Sequence, residues 1–389
     1  MKKFIKILGI IVAVLAMIAV CVYCFVLQYP KLKENPKVGK WYRIQTSEMK
    51  SSEGGAYHAF IKKGTENKVM VYFAGGGVSI NEQTARNDTY NTKLVQPDIL
   101  ANTTMNMGGL AVESEDNPWK DWTVILFPYA TGDFHCGTGE FTYTDKDGKE
   151  KILYHNGYIN FTSAMDDALK YAGISEADSI IVTGYSAGGW GASILANDIF
   201  TNYFPNAANK TVLVDGSVAL YDDWKDVAVN VWKAPKHITD RITSNNITLD
   251  SLVALHEDFG DDVTILFDSS VRDGDLSKVQ RYLKEGVIDE ETGDMPLEEK
   301  DADEFQVILK DFVYQLKERA NGTIFIYDGL PWYDDPRNFT MHTLIATPYV
   351  YAELNSTDMS IAKWLNDAVD GKTTDYGLEL LDKQYEYTE

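Results

Sequence analysis

The segment Gly184-Tyr185-Ser186-Ala187-Gly188 sets a serine between two glycines with the spacing G-x-S-x-G. The residues around it decide whether that serine is a nucleophile. Before it runs Ser179-Ile-Ile-Val-Thr183, apolar enough for a buried strand, and after it runs Gly189 to Ala196, small and compatible with a helix. A strand that feeds a helix through so tight a turn strains the central residue and lifts its hydroxyl above the sheet edge. There the free N–H groups of the helix N-terminus can stabilise an oxyanion. The pentapeptide alone is ordinary turn chemistry, because Gly and Ser both populate turns. With a strand on one side and a helix on the other, it reads as a nucleophile elbow.

A serine nucleophile needs a base, an acid that orients the base, and oxyanion donors. On a sheet of this kind the chain order is Ser, then Asp or Glu, then His, so the partners lie downstream. His237, His256 and His342 follow Ser186. His342 comes shortly after the apolar run Thr323 to Tyr327, where the sheet edge over the nucleophile is expected, whereas the other two lie in helical or linking sequence. For the acid, Asp268 directly follows Val263 to Phe267, and so is expected at the carboxyl end of a strand, the usual place for functional groups in open α/β sheets. Asp215 occupies the same kind of position one strand earlier, and Asp268 is preferred. The run Val69 to Phe73 leads into Ala74-Gly75-Gly76-Gly77, whose glycines let backbone N–H groups approach a substrate closely. Gly76 or Gly77, together with Ala187, would form the oxyanion hole. No Gly-Lys-Ser/Thr follows those glycines, so a phosphate loop is set aside. Trp190, a lone large ring among small residues, borders an acyl pocket or packs into the core. His135 and His155 line the pocket or serve structure. No paired ligand spacing supports a metal, and the chemistry requires no cofactor.

These groups need a scaffold. Residues 69–73, 123–127, 179–183, 211–214, 263–267 and 323–327 are short apolar runs, as expected of strands buried on both faces of a parallel sheet. Amphipathic stretches at 161–172, 189–204 and 304–320 alternate with them. The fold class is therefore α/β, an α/β-hydrolase-like, doubly wound and mostly parallel sheet. Two insertions interrupt it. Phe141 to Tyr154 reads as a β-hairpin turning at Asp147-Gly148, with calcium binding at the Asp-rich turn set aside for want of the other ligands. Ser277 to about Lys300 is acidic and reads as a solvated excursion in preference to a lid.

The first 27 residues carry a different signal. Lys2, Lys3 and Lys6 precede an uncharged stretch from Ile7 to Leu27, long enough to span a bilayer and longer than the core of a cleavable signal peptide. Residues 1–27 are expected to be a transmembrane signal anchor with a cytoplasmic tip, residues 28–40 a stem, and residues 41–389 an extracellular catalytic domain. Of the three cysteines, two fall in the apolar stretch and only Cys136 remains beyond it, so an intramolecular disulfide is impossible there. The net charge of −22 repels phosphate backbones, which makes nucleic acid an improbable partner.

Taken together, Tyr72-Phe-Ala-Gly-Gly-Gly77, Phe127-Pro-Tyr-Ala-Thr-Gly-Asp133, Thr183-Gly-Tyr-Ser-Ala-Gly-Gly189, Leu213-Val-Asp-Gly216, Leu266-Phe-Asp268 and the segment around His342 resemble the pectin acetylesterase / Notum family of serine carboxylesterases. The resemblance runs in order from about residue 65 to 350. It implies Ser186, Asp268 and His342 as the triad and Gly76, Gly77 and Ala187 as the oxyanion hole. Eukaryotic members carry a Trp-Cys pair after the glycines and many disulfides. Here Val78-Ser79 follows and cysteines are scarce, closer to bacterial members. The expected activity is removal of an acyl group, acetyl first of all, from a glycan outside the cell. The alternatives are a lipid-ester or protein deacylase and a non-catalytic carbohydrate-binding protein.

Overall fold

The computed structural model describes residues 2–22, 26–94, 98–99, 109–330, 333, 335–355 and 357–386, with side chains from residue 11 onward. Its strands are β1 (Trp41–Ile44), β2 (Ala59–Lys62), β3 (Lys68–Phe73), β4 (Thr123–Phe127), β5 (Gly139–Thr144), β6 (Glu150–His155), β7 (Ser179–Tyr185), β8 (Asn209–Asp215), β9 (Val263–Ser270) and β10 (Thr323–Tyr327). Eight of them form one sheet in the order β1-β2-β4-β3-β7-β8-β9-β10. From β4 to β10 every pairing is parallel, and β1 and β2 add an antiparallel edge.

The apolar runs of the sequence are the parallel strands because both of their faces are covered. Along β3, Val69, Val71 and Phe73 enter one core while Met70 and Tyr72 enter the other, as alternation along a strand requires. The larger core lies under the helices Gly157–Ala172, Ala187–Asp198, Ile247–Phe259 and Glu299–Ala320, through residues such as Phe161, Leu195, Leu252 and Phe312. The opposite core is closed by the helix Ile361–Val369, with Trp364 and Leu365, and by the segment around Leu344 and Ile345. With only four residues each, β1 and β2 were too short to stand out in the sequence pattern.

The hairpin of β5 and β6 forms as expected. Gly148 turns it at φ 76°, and Asp145 Oδ1 accepts the N–H groups of Asp147 and Lys149. Two expectations at the N-terminus are altered. A helix runs over Lys2–Cys21, yet among the described residues no helix is long and apolar enough to cross a membrane. Residues 23–25 of the expected anchor lie outside the described residues. The stem does not hold the domain at a distance. Leu32 is buried, its N–H donates to the Arg43 carbonyl of β1, and Tyr29 packs edge-on against Phe60.

Candidate active site

Ser186 is the junction of β7 with the helix Ala187–Asp198, at φ 52° and ψ −130°. A serine holds this disfavoured conformation at a cost of order 1–3 kcal/mol, so the surroundings must enforce it. They do so through the backbone. Ser186 N–H donates to the Asp215 carbonyl at 2.9 Å, and the Ser186 carbonyl accepts from Gly189 N–H at 2.8 Å and Ser217 Oγ at 2.7 Å. The flanking glycines are required by close approach. A Cβ on Gly184 would stand 2.1 Å from the Gly188 carbonyl oxygen, and one on Gly188 would stand 2.1 Å from that of Phe73.

The glycine loop after β3 lies directly against this turn, since a Cβ on Gly75 would come within 2.7 Å of Ser186 Cβ. Gly76 and Gly77 adopt φ of 158° and 81°, and the Gly76 carbonyl is tied back to Asn91 N–H at 2.8 Å. That bond fixes the loop while the N–H groups of Gly76, Gly77 and Ala187 donate to no protein acceptor among the described residues. His135, expected as a pocket residue, instead braces this loop from behind. It is buried beside Phe73, and its Nε2–H donates to the Ala74 carbonyl at 2.9 Å. Burial pushes the His135 imidazole down to about 4, so it stays neutral. His155 is also buried, with Nδ1 2.9 Å from the Thr131 carbonyl, and serves structure.

His342 opens on the same cavity as Ser186, but the acid beside it is not the one expected. Its Nδ1 meets Asp273 Oδ2 at 2.6 Å. Asp273 is fully buried and caps the helix Gly274–Glu285 with its other oxygen, accepting from Asp275 N–H at 3.0 Å and Leu276 N–H at 2.9 Å. Backbone bonds join the two partners: Thr340 N–H donates to the Arg272 carbonyl at 2.9 Å and Gly274 N–H to that of Thr340 at 3.3 Å. The Arg272 side chain reaches the Asn338 carbonyl at 2.9 Å. Asp268 and Asp215, the two acids weighed from the sequence, touch each other and not the imidazole. The reason is the length of β9. The apolar run stops at Phe267, but the strand continues through Asp268, Ser269 and Ser270, paired to β10, so it ends three residues later than the hydrophobicity suggests and the acid stands in the turn beyond it. The signal for Asp273 was its place as an N-cap before an amphipathic helix.

Burial works against a charged His342, but the adjacent Asp273 carboxylate, with Asp275 and Asp215 behind it, outweighs burial and raises the imidazole to about 9. A general base must be neutral to accept a proton, so the resting histidine is mostly in the inactive form at neutral pH. We expect kcat/KM to climb by about tenfold per pH unit from pH 7 toward 9. A pH profile already flat above pH 7 would contradict this electrostatic reading of the site.

The cavity over Ser186 has a volume of about 410 Å³. Trp190 and Phe134 form one wall, stacked with ring centroids 4.6 Å apart and planes 7° from parallel. Trp190 is 3% exposed, so it belongs to the core and to the pocket at once. Leu276 and Val279 face it from the helix Gly274–Glu285, and Gly293, Asp294 and Met295 complete the rim. The acidic insertion is thus partly a cover for the pocket. It is fastened by Glu290, which accepts from Arg86, Gln83 and Asn87.

Residues 52–236 match the family model Pectinacetylesterase, a segment that carries the glycine loop and the elbow. Among solved structures, two crystal forms of the Wnt deacylase Notum from Drosophila share the fold. One has a TM-score of 0.57 and 13% identity, and the match covers 88% of this chain and 93% of that one. The other has a TM-score of 0.57 and 12% identity, covering 90% and 96%. No curated protein sequence matches the chain.

Proposed function

We propose, on the premise that this chain is a carboxylic ester hydrolase of the pectinacetylesterase kind, that it works by a Ser-His-Asp acyl-enzyme mechanism with Asp273 as the acid. The observation that supports this is the opening of Ser186, on its strained turn, and His342, held by Asp273, onto one cavity. Ser186 Oγ attacks the ester carbonyl as His342 Nε2 takes its proton. The N–H groups of Gly76 or Gly77 and of Ala187 receive the oxyanion, and His342 returns the proton to the departing alcohol. A water, deprotonated by the same nitrogen, then attacks the acyl-enzyme, and His342 passes that proton to Ser186 Oγ as the acyl bond breaks and the acid leaves. The Asp273 carboxylate fixes the tautomer with the proton on Nδ1, leaving the Nε2 lone pair for Ser186.

For the substrate, the family match favours an acetyl ester on a glycan. A second reading, an ester of a longer acyl chain, is favoured by the volume of about 410 Å³ and the walls of Phe134, Trp190, Leu276, Val279 and Met295, which exceed what a two-carbon acyl group fills. Nitrophenyl esters of increasing chain length separate the two. If Trp190 limits the acyl chain, Trp190→Ala shifts the kcat/KM ratio toward octanoyl over acetyl by roughly 1–3 kcal/mol. Loss of stability with an unchanged chain-length profile would assign Trp190 to the core alone.

The same proposal places the domain outside the cell with the N-terminal segment as its anchor, on the strength of the three lysines followed by an uncharged stretch. Retention of the protein in carbonate-washed membranes, with the domain open to added protease on intact cells, is the expected result. Release by carbonate would remove the anchor from the proposal.

A further inference from the structure

The two acids displaced from the triad have no role in the mechanism above, yet they are among the most enclosed charged groups of the molecule. Asp215 and Asp268 both show no exposed surface and lie opposite each other in the pairing of β8 with β9. Asp215 Oδ2 accepts two backbone N–H groups, from Leu344 and Ile345, each at 2.9 Å. These are the second and third residues after His342. The remaining oxygen of Asp215 and both oxygens of Asp268 find no donor elsewhere among the described residues, and the two carboxyls face one another. Two carboxylates cannot both be ionised in contact inside a dry core. One proton between them converts the repulsion into a short, charge-assisted hydrogen bond.

We propose that Asp215 and Asp268 form a positioning pair for His342: Asp268 keeps a proton and donates it to Asp215, and the Asp215 carboxylate so held anchors the Leu344–Ile345 backbone that carries the imidazole. The inference rests on the reading of Ser186 and His342 as the reacting residues. The division of labour follows from the donors available. Asp215 has two N–H groups that stabilise its charge, whereas Asp268 has none, so the proton stays on Asp268; burial accordingly raises Asp268 far above the usual carboxylate range and Asp215 only to about 6. The groups facing the pair are the hydroxyls of Tyr72 on β3, Tyr185 on β7 and Tyr327 on β10, all pushed up by burial and therefore neutral, together with Asp273 near Tyr327 and the imidazole of His342. Of these, only His342 can carry positive charge, so the single negative charge of the pair is felt by the catalytic base.

The test compares Asp268→Asn with Asp268→Leu on nitrophenyl acetate, reading kcat, KM and the pH midpoint of the acid limb. An asparagine amide still donates to Asp215 and preserves the charge, so Asp268→Asn should retain kcat within about threefold and leave the acid limb in place. Leucine removes the donor and leaves Asp215 against an apolar neighbour, which pushes its carboxyl further up toward the neutral form. Asp268→Leu should lower kcat about tenfold or more through misplacement of His342, leave KM within about threefold, and move the acid limb to lower pH. Equal losses in both variants, or a lowered melting temperature with kcat and acid limb unchanged, would overturn the proposal. Should Asp268→Leu fail to fold, Asp215→Asn combined with Asp268→Asn decides, because the side-chain oxygen at position 215 can still accept from Leu344 and Ile345 while neither strand carries a charge. A lowered acid limb then supports the pair, and an unmoved one overturns it. Activity surviving Ser186→Ala would instead defeat the assignment of the reacting residues, a separate outcome.

Discussion

Ser186→Ala is expected to leave a folded protein whose ester turnover is lower on the order of 10³-fold or more. The argument separates the two halves of the residue. Its backbone makes the turn, through bonds to Asp215, Gly189 and Ser217 that involve only main-chain atoms of residue 186. Its hydroxyl makes none of the hydrogen bonds that hold the turn, and projects into the cavity. Alanine keeps the first set and removes the second. Alanine tolerates φ 52° no better than serine does, so the strain is carried over and the melting temperature should move little. Catalysis that remains would come from the oxyanion donors alone. Labelling by a fluorophosphonate, which reports an activated serine whatever the natural substrate, should disappear with turnover. Undiminished hydrolysis by the purified variant would remove Ser186 from the mechanism and place the reacting group elsewhere in the protein.

The sheet was legible because burial on both faces leaves nothing but apolar residues to mark a central strand. The elbow was legible because close approach of strand and helix admits only glycine at positions 184 and 188, and the glycine loop because its N–H groups must stand close to Ser186. The acid was not, for the reason that makes Asp268 unusual. A strand that buries a carboxyl against another carboxyl breaks the apolar pattern before the strand ends, and the pattern then places the functional position too early. The pocket wall was half visible. Trp190 stands out among small residues, whereas Phe134 reaches it from a loop that needs φ of 51° and 61° at Phe134 and His135, which no local preference announces. Met295 is one of a few apolar residues scattered through an acidic stretch, and its place on the cavity goes with the fastening of Glu290 by residues two hundred positions earlier in the chain.

Asp273→Asn is the sharpest test of the corrected triad, and a loss of about 10⁴-fold in turnover is expected, with stability nearly preserved. Asparagine is as good an N-cap as aspartate, so its oxygen can go on accepting from Asp275 and Leu276 and the helix Gly274–Glu285 keeps its start. With the oxygen so committed, the amide NH₂ turns to His342 Nδ1 as a donor. A donor there forces the imidazole proton onto Nε2, the nitrogen that must receive the Ser186 proton, and the base is disabled without being moved. The imidazolium also loses the carboxylate that raised it, so the acid limb should fall well below about 9. Asp268→Asn, read in parallel, should leave both turnover and the limb close to the wild type, since it stands five residues away on the strand and touches Asp215. The reverse ranking, with Asp268→Asn inactive and Asp273→Asn unimpaired, would return the acid to Asp268 and reduce the contact between His342 and Asp273 to a helix cap.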